Sequence, residues 1–362
     1  MLESSYIMRK IKLLPSWSLS NEENEALGSE LFVLLDLIHR TGTLSEAAKQ
    51  TGISYRHAWN QVNHWKSFFG SDLVAFTRGK GASLTEIGEK LLWAEQRVSA
   101  RVGPQLQSLS SEINTELNRA LTSARNSLTI HASHGYAVAY LPELLKMAPE
   151  FQVDLRYTGA AESLASLNRG DCELAGFHLP TEGNGQEIID SLAAFLDGSS
   201  HRFIHLVTRT QGLFVPSSNP KKIESLADLV NPDVTFVNRQ YPSGTRMLFD
   251  HLLNKNNMSA RDIEGYQSEE FTHAAVAAYV ASGMADTGFG VQPAADQFGL
   301  EFIPLAQEKY MFAFKKNGAR KKEILKLITL LKSLEFANYV GTLPGYTAPE
   351  AGKVVTLDEA IS

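Results

Sequence analysis

The chain has 362 residues, of which 43% are hydrophobic and 20% charged, and its formal net charge is −6. This length suits two domains or three lobes, and the composition is typical of a globular protein. The single cysteine, Cys172, excludes an intramolecular disulfide bond and a cluster of thiolate metal ligands. The first residues lack the pattern of a signal peptide, and no apolar stretch approaches the roughly 20 residues of a spanning helix. We therefore expect a cytoplasmic location and no membrane partner.

Residues 1–27 are weakly periodic and favour a short strand at Ile11–Leu14 and a polar linker. Three helical segments follow. The first has apolar residues at helical spacing and ends at Gly42. The second contains the small pair Ala47-Ala48, which allows close helix packing, and Gly52 forms a tight turn. Ser54 then caps a third helix with a polar exposed side. This succession predicts a helix-turn-helix.

The third helix and the hairpin after it form a candidate DNA-contact surface. Residues 72–84 predict a short β-hairpin, or wing, and residues 40–84 contain six basic against two acidic side chains, an excess of +4. Their hydroxyl, amide, imidazole and cationic groups suit base edges and phosphates. The predicted DNA-contact residues are Ser54, Tyr55, Arg56, Asn60, Asn63, His64, Arg78 and Lys80.

Other residues of this helix have packing roles. Those expected to pack inward are Ala58, Val62 and Trp65. Packing is favoured over base contact for Trp59, whereas Tyr55 is equally compatible with phosphate contact and with packing. Arg56 has no evident core role, so contact with DNA is the favoured interpretation.

Residues 52–60 read Gly-Ile-Ser-Tyr-Arg-His-Ala-Trp-Asn, and residues 79–85 read Gly-Lys-Gly-Ala-Ser-Leu-Thr, with Gly88 close behind. These runs closely resemble the DNA-binding domain of ModE, a family of molybdate-responsive regulators near the LysR type. The resemblance covers about residues 28–100. It implies a homodimer, with a tetramer left open. Its two recognition helices would enter successive major grooves of a pseudo-palindromic operator in double-stranded DNA, ~34 Å apart.

Residues 85–127 predict a linker and dimerisation helix. The segment from Thr85 to about Ser123 carries apolar residues at helical spacing, and an exposed helix that keeps an apolar stripe usually buries it against a partner. Packing of this stripe within the same chain is the alternative. Gly103-Pro104 is expected to interrupt or bend the helix.

From residue 128 onward, predicted strands alternate with predicted helices. This βαβα order implies a mostly parallel sheet with covered faces. The predicted fold class is therefore α/β behind an α-rich N-terminal domain. The predicted domains are a winged helix-turn-helix over residues 1–84, the linker helix over residues 85–127 and an α/β domain over residues 128–362.

Short polar clusters lie where these strands end and helices begin. Helix N-termini hold anions with their unpaired amide groups, and ligands of open α/β sheets bind beyond the carboxyl ends of the strands. The donors in these clusters suit a small oxyanion. The predicted ligand-binding residues are Ser133, His134, Arg209, Gln211, Arg239, Ser243, Gly244, Thr245, Arg246, Thr272 and His273.

Some of these residues have structural alternatives. Arg246 can pair with Asp250 one helical turn along, and Arg239 can pair with a surface acid. A lone histidine is more often structural than a ligand, so His134 and His273 keep both interpretations. The histidines assigned structural roles are His131, His178 and His205.

The same clusters resemble a domain shaped like type II periplasmic binding proteins, which occurs in molybdenum-related regulators and in molybdopterin-biosynthesis proteins. The matching runs include residues 209–213, 238–240, 243–246, 272–276 and 281–288, and the resemblance covers about residues 128–316. It implies a two-lobed sensor domain over residues 128–362, with no covalent cofactor and no metal site. Both resemblances point to molybdenum physiology, so molybdate or tungstate is the first expectation for the effector.

The main hypothesis is a DNA-binding transcriptional regulator that senses a small anion and controls molybdenum- or tungsten-related genes. Formate, another small carboxylate or a larger molybdenum-cofactor-like anion would satisfy the same donors. An enzyme on the same scaffold is disfavoured because the sequence has no Gly-x-Ser-x-Gly, His-Glu-x-x-His or Walker motif. A DNA-bound structural or partner-recruiting protein is the third alternative.

Overall fold

The computed structural model describes residues 11–22, 24–79, 81–121, 127–148, 152–181, 186–318 and 320–361. The chain divides into two compact units. One is Leu14–Val102, and the other is Gly103–Ser362 together with residues 1–13. The predicted boundary between residues 84 and 85 thus lies inside the first unit. No described helix combines the length and apolar character needed to cross a membrane.

The N-terminal unit is built around three short helices. Its elements in chain order are β1 (Leu19–Ser20), β2 (Ala26–Leu27), α1 (Glu30–Thr41), α2 (Leu44–Thr51), α3 (Tyr55–Phe69), β3 (Val74–Thr77), β4 (Gly81–Leu84) and the first part of α4 (Glu86–Leu121). Thr43 and Ser54 cap α2 and α3, since their side chains accept from the amides of Glu46 and His57. Gly42 and Gly52 end α1 and α2 in the left-handed conformation that favours glycine.

The core of this unit confirms the predicted helix faces. The buried residues include Leu31, Leu34, Leu35, Ile38, Ala47, Ala48, Ala58, Val62 and Trp65. The wing formed by β3 and β4 is fixed to the end of α1, because Ala82 N donates to Gly42 O at 2.7 Å. A Cβ atom on Gly81 would lie 2.2 Å from that same oxygen, so the position requires glycine.

Helix α4 runs without a break from Glu86 to Leu121. The interruption predicted at Gly103-Pro104 is absent, because a proline removes one helical hydrogen bond but leaves the turns on either side intact. Val98 and Leu109 are 37% and 47% exposed on this helix. The apolar stripe that the sequence predicted is therefore not fully covered within the described part of one chain.

The C-terminal unit is built on one ten-stranded sheet. Its strands are β5 (Ser127–Ala132), β6 (Gln152–Tyr157), β7 (Leu174–Pro180), β8 (His201–Pro216), β9 (Phe236–Arg239), β10 (Glu269–Glu270), β11 (Thr287–Val291), β12 (Leu300–Lys315), β13 (Tyr346–Thr347) and β14 (Val354–Val355). Its helices are α5 (Tyr136–Ala139), α6 (Leu141–Leu144), α7 (Ala160–Arg169), α8 (Gln186–Ala193), α9 (Gly244–Lys255), α10 (His273–Ala281), α11 (Gln292–Gln297), α12 (Lys321–Leu331), α13 (Leu334–Gly341) and α14 (Leu357–Ile361).

The strand order is β10-β9-β11-β8-β12-β7-β5-β6, with β13 and β14 added beside β8. The outer strands pair in parallel, but β8 and β12 pair antiparallel with each other and with their other neighbours. The prediction of a mostly parallel sheet is therefore wrong at its centre. These two strands are 16 residues long, and each contributes to both lobes.

Two separate cores mark the two lobes. The first lobe surrounds β5, β6 and β7 and has Leu164 and Phe177 in its core. The second lobe surrounds β9, β10 and β11 and has Phe236 and Phe249 in its core. The long strands β8 and β12 pass from one lobe to the other, as the predicted two-lobed domain requires.

The part of α4 in the C-terminal unit covers the outer edge of the first lobe. Ser111 Oγ accepts from Leu155 N at 2.9 Å and donates to Asp154, while Ser108 Oγ accepts from Tyr157 N. These serines satisfy amides on edge strand β6 that would otherwise lack partners.

The strand predicted at Ile11–Leu14 is wrong. The amide of Ile11 donates to the Asn114 side chain, and its carbonyl accepts from Ser110 and Asn114. Side chains of α4 thus satisfy this backbone in place of a partner strand.

Candidate DNA-contact surface and anion cleft

The basic residues of the N-terminal unit separate into paired and unpaired side chains. Arg40, Lys49 and Lys66 form ion pairs with Asp36, Glu46 and Asp72. Arg56 on α3 and Arg78 after β3 are exposed, and neither has an acidic partner among the described residues. These two cations are therefore free to meet phosphate or base edges. The remaining predicted cation, Lys80, lies outside the described residues.

The other predicted contact residues on α3 are partly engaged within the unit. Ser54 accepts the capping bond from His57 N, and Asn63 Nδ2 donates to Trp59 O at 3.0 Å. His64 lies 3.6 Å from a carboxylate oxygen of Glu25. Asn60 is exposed. The helix thus presents Arg56 and Asn60 most openly.

Trp59 has both a packing role and an exposed surface. Its ring centroid lies 4.9 Å from that of Phe76 on the wing, and Tyr55 stacks beside it at 6.3 Å. The packing predicted for Trp59 is present, but it joins the helix to the wing and leaves the side chain 39% exposed. Tyr55 is 52% exposed.

In the C-terminal unit, a buried hydrogen-bonded group lies where β8 and β12 cross. Glu308 is the cross-strand neighbour of Arg209, and its Oε1 atom accepts from Arg209 Nε at 2.7 Å and from Gln211 Nε2 at 2.5 Å. Gln211 also donates to Thr245 Oγ1 at 3.3 Å. Irregular strand registers occur on both sides of this group, at Pro304/Ala306 and at Tyr310/Met311. Bulges of this kind re-aim side chains, and here they flank the point where the lobes join.

Around this group lies a cluster of cationic and imidazole side chains, which we call the anion cleft. Its members are Arg209, Arg239, His134, His178 and His273. Arg209 is 1% exposed and Arg239 is 6% exposed. Both lobes contribute, because His134 follows β5 and His178 lies within β7 of the first lobe, while Arg239 and His273 belong to the second.

The charge of the cleft comes from its two arginines. Burial, and after it the charge of Arg209, lower the pKa of Arg239 to about 9 against the opposing effect of Glu308. Burial, followed by the two arginine charges, lowers the pKa of His134 to about 4 and holds the pKa values of His178 and His273 well below their usual range. The three imidazoles are therefore neutral near pH 7. Burial also acts to lower the pKa of Arg209, but the Glu308 carboxylate raises it.

Several buried nitrogen atoms of the cleft lack a hydrogen-bond partner among the described residues. These atoms are Arg209 Nη1, both ring nitrogens of His178, and His273 Nδ1. Arg239 donates to Gln240 Oε1 and Phe271 O and forms no salt bridge with any described acid. A buried cation without a counter-charge is costly, and an anion would satisfy it.

Glycines bring the backbone of both lobes close to these side chains. A Cβ atom on Gly244, the first residue of α9, would lie 3.0 Å from His178 Nδ1. A Cβ atom on Gly135 would lie 3.2 Å from Arg209 Nη1. One small pocket here is lined by Ala160, His178, Gly244 and Glu308 together with the apolar residues Pro180, Ile188, Leu192 and Met247. The N-terminal amides of α7 and α9 thus begin beside the cleft, where their partial positive charge favours an anion.

Other predicted ligand residues have structural roles at the edge of the cleft. Ser243 and Thr272 are N-caps of α9 and α10, and their hydroxyls accept from the amides of Arg246 and Ala275. Ser133 contributes its carbonyl, which accepts from Tyr310 Oη at 2.9 Å.

Arg246 departs from its predicted role. Its guanidinium donates to Asp250, to Glu269 and to the carbonyl of Arg239, and it lies 4.0 Å from the ring centroid of Tyr266. The structure shows the alternative that the sequence analysis gave, in which Arg246 pairs with Asp250. We therefore correct the prediction, because two carboxylates already compensate this cation.

Two residues of the cleft were not predicted from the sequence. His178 was assigned a structural role, yet it faces Arg209 and Gly244, and its ring packs at 4.1 Å against that of Tyr310. Glu308 was not singled out at all. Only the pairing of β12 with β7 and β8 brings both residues to the cleft.

The family model of the PBP superfamily domain matches residues 142–332, and that of the bacterial regulatory helix-turn-helix protein, lysR family, matches residues 29–89. The chain is 34% identical over 202 residues to uncharacterized protein YvgK of Bacillus subtilis strain 168, covering 55% of this chain and 64% of YvgK. It is 37% identical over 111 residues to molybdenum-pterin-binding protein MopB of Rhodobacter capsulatus, covering 28% of this chain and 41% of MopB.

The chain is also 43% identical over 63 residues to transcriptional regulator ModE of Yersinia pestis, covering 16% of this chain and 24% of ModE. It thus spans less than two thirds of the length of each of these curated relatives. Among solved structures it is similar to full-length BenM, at 14% identity and a TM-score of 0.44 over 87% of this chain and 98% of BenM.

Proposed function

The chain belongs to the PBP superfamily and carries a LysR-type helix-turn-helix. We propose that it is a ligand-responsive DNA-binding transcriptional regulator that senses a compact oxyanion, molybdate or tungstate first. The observation that carries this proposal is the anion cleft. Arg239 is buried there without a carboxylate partner, and Arg209 Nη1, His178 and His273 Nδ1 have unsatisfied nitrogen atoms.

The donors of the cleft favour a small ligand with several oxygen atoms. Charge-assisted hydrogen bonds contribute about 1.5–3 kcal/mol each when they are buried. A tetrahedral dianion can accept from Arg209, Arg239 and the helix amides at the same time, whereas formate has only two oxygens. The donors are almost completely buried, which favours a compact anion over a larger molybdenum-cofactor-like ligand.

The relatives support the same chemistry. ModE of Yersinia pestis is a transcriptional regulator, and MopB of Rhodobacter capsulatus is a molybdenum-pterin-binding protein. Each relative matches only a short segment of this chain. The chemistry of the cleft and the names of these relatives together favour a molybdenum oxyanion as the proposed ligand. Control of molybdenum- or tungsten-related genes is the corresponding proposal for the regulated targets.

We propose that ligand acts by drawing the two lobes together. Arg209 and Gln211 lie on the strand that joins the lobes, while Arg239 and the amides of α9 belong to the second lobe. An anion that binds both sides stabilises the closed arrangement in proportion to its differential affinity. The exposed apolar residues of α4 support a homodimer, and Arg56, Asn60 and Arg78 support contact with operator DNA.

Calorimetric titration of the full chain tests the ligand proposal. We expect molybdate and tungstate to bind more tightly than millimolar, and more tightly than sulfate and formate. Mass spectrometry of small anions that copurify with the protein, together with DNA footprinting, identifies the native effector and operator. If no anion of this panel binds more tightly than millimolar, the oxyanion proposal fails.

A further inference from the structure

Glu308 is an acidic residue inside the anion cleft. Its side chain is 2% exposed, and it lines the same pocket as His178 and Gly244. Among the described residues, it is the only acid whose charge contributes to the pKa of Arg239. Burial, and after it the charges of Arg209 and Arg239, lower the pKa values of the cleft histidines His134, His178 and His273, and no acid is among the causes.

A carboxylate in this position opposes the binding of an anion. Like charges in a buried site repel each other strongly, because little water lies between them to screen the interaction. Glu308 also occupies donors that a ligand would use, since Arg209 Nε and Gln211 Nε2 both point to its Oε1 atom. Arg209 Nη1 and the whole Arg239 guanidinium are left without a carboxylate. The cleft thus has one compensated and one uncompensated cation.

We propose that Glu308 is an intramolecular competitor of the ligand and determines which anionic charge the cleft prefers. This inference rests on the proposed function. The carboxylate holds the inner donors of Arg209 and Gln211 and leaves the outer donors of Arg209 and Arg239 for the incoming anion. It keeps Arg209 from lying buried as a bare cation in the ligand-free protein. It also lowers the affinity of the cleft for every anion, and most for anions of high charge.

The dependence on ligand charge gives this role a signature that a packing role lacks. The repulsion between Glu308 and a bound anion is proportional to the charge of the anion. Removal of the carboxylate charge should therefore increase the logarithm of the affinity about twice as much for a dianion as for a monoanion. A residue that merely shapes the cleft would change both affinities by a similar factor.

The test is Glu308→Gln in the full chain, because glutamine keeps the side-chain length and the oxygen that Arg209 and Gln211 contact. Calorimetry at pH 8 with molybdate as the dianion and formate as the monoanion measures both affinities. We expect an increase of about tenfold for molybdate and about threefold for formate. Glu308→Asp is the matched control, because it keeps the charge and should retain the wild-type ratio of the two affinities.

Stability is the second readout. Glu308→Gln leaves Arg209 without its counter-charge, so we expect a lower Tm without ligand and a larger rise in Tm with molybdate than in the wild type. A variant that stays unfolded even with molybdate overturns the inference, as do unchanged or equally changed affinities for the two anions. Those results leave the proposed function standing. If the wild type binds neither anion, the proposed function fails and this inference fails with it.

Discussion

The DNA-contact surface and the anion cleft both contain arginine side chains, but the arginines of the two regions lie in opposite environments. Arg56 and Arg78 are exposed and have no acidic partner among the described residues. Arg209 and Arg239 are almost fully buried, and only Arg209 has a carboxylate partner. Water screens the exposed pair, so each of those cations contributes modestly and in a salt-dependent way. The buried pair is desolvated, so its charges interact strongly with whatever enters the cleft.

This difference predicts how sensitive each region is to a single substitution. A surface that meets DNA can lose one contact and keep the others, whereas a desolvated site loses much of its affinity with one donor. On the proposed function, the DNA-contact surface should therefore tolerate single substitutions, whereas ligand binding in the cleft should depend on a few groups.

Arg239→Gln should have the largest effect. Truncating one partner of a buried charge pair costs about 2–5 kcal/mol, so we expect molybdate affinity to fall at least ~30-fold in calorimetry. Arg261→Gln is the matched control, since Arg261 is an exposed arginine of the same lobe and should leave the affinity unchanged. Equal affinities of the two variants would remove Arg239 from the cleft's binding groups.

The pH dependence of anion binding should be the next largest effect. Burial, together with the charge of Arg209, lowers the pKa of Arg239 to about 9 in the ligand-free protein. A bound anion should raise that pKa because it favours the charged guanidinium. Affinity for molybdate is therefore full below pH 9 and should fall about tenfold per pH unit above it. Equilibrium dialysis between pH 7 and pH 10.5 measures this profile. An affinity that stays constant to pH 10.5 would show that the charge on Arg239 does not contribute.

Arg56→Ala tests the exposed arginines of the DNA-contact surface. We expect a loss of about 1–3 kcal/mol in operator binding if Arg56 reads a base, and a smaller loss with a reduced salt dependence if it contacts phosphate. Arg40→Ala is the control, because Arg40 already pairs with Asp36. Fluorescence anisotropy at several salt concentrations separates the two outcomes. Unchanged affinity at all salt concentrations would remove Arg56 from the DNA-contact surface.

Ser111→Ala should have the smallest effect, and it tests the link from the first lobe to α4. The change removes hydrogen bonds to Leu155 N and Asp154, which costs about 1 kcal/mol of stability. We expect the effect of molybdate on operator affinity to shrink while molybdate affinity itself stays the same. Ser99→Ala removes only a bond to Glu95 within the helix and should leave that effect intact. If the two variants respond alike, this contact does not transmit the ligand signal.

Local signals explain which parts of the fold were predictable from the sequence. Gly42, Gly52 and Ser54 fix the helix-turn-helix because glycines in left-handed conformations and a capping serine act on neighbouring residues. The antiparallel centre of the sheet was not predictable in the same way. It depends on the pairing of β8 with β12, which lie far apart in sequence.

In the cleft, too, residues marked by local sequence signals could be predicted, whereas residues placed by long-range strand pairing could not. Arg239 and His273 could be predicted because each lies where a strand ends or a helix begins. His178 and Glu308 could not, because each lies within a long strand and reaches the cleft only through cross-strand neighbours Tyr310 and Arg209. Arg246 was misassigned because the sequence does not reveal that Glu269 joins Asp250 around it.

The most direct test of the account is a crystal structure of the full chain grown with tungstate, with data collected at the tungsten absorption edge. We predict an anomalous peak inside the cleft, within hydrogen-bond distance of Arg239 and of Arg209 Nη1. Peaks only on the protein surface, or none at all, would contradict the binding of an oxyanion in the cleft.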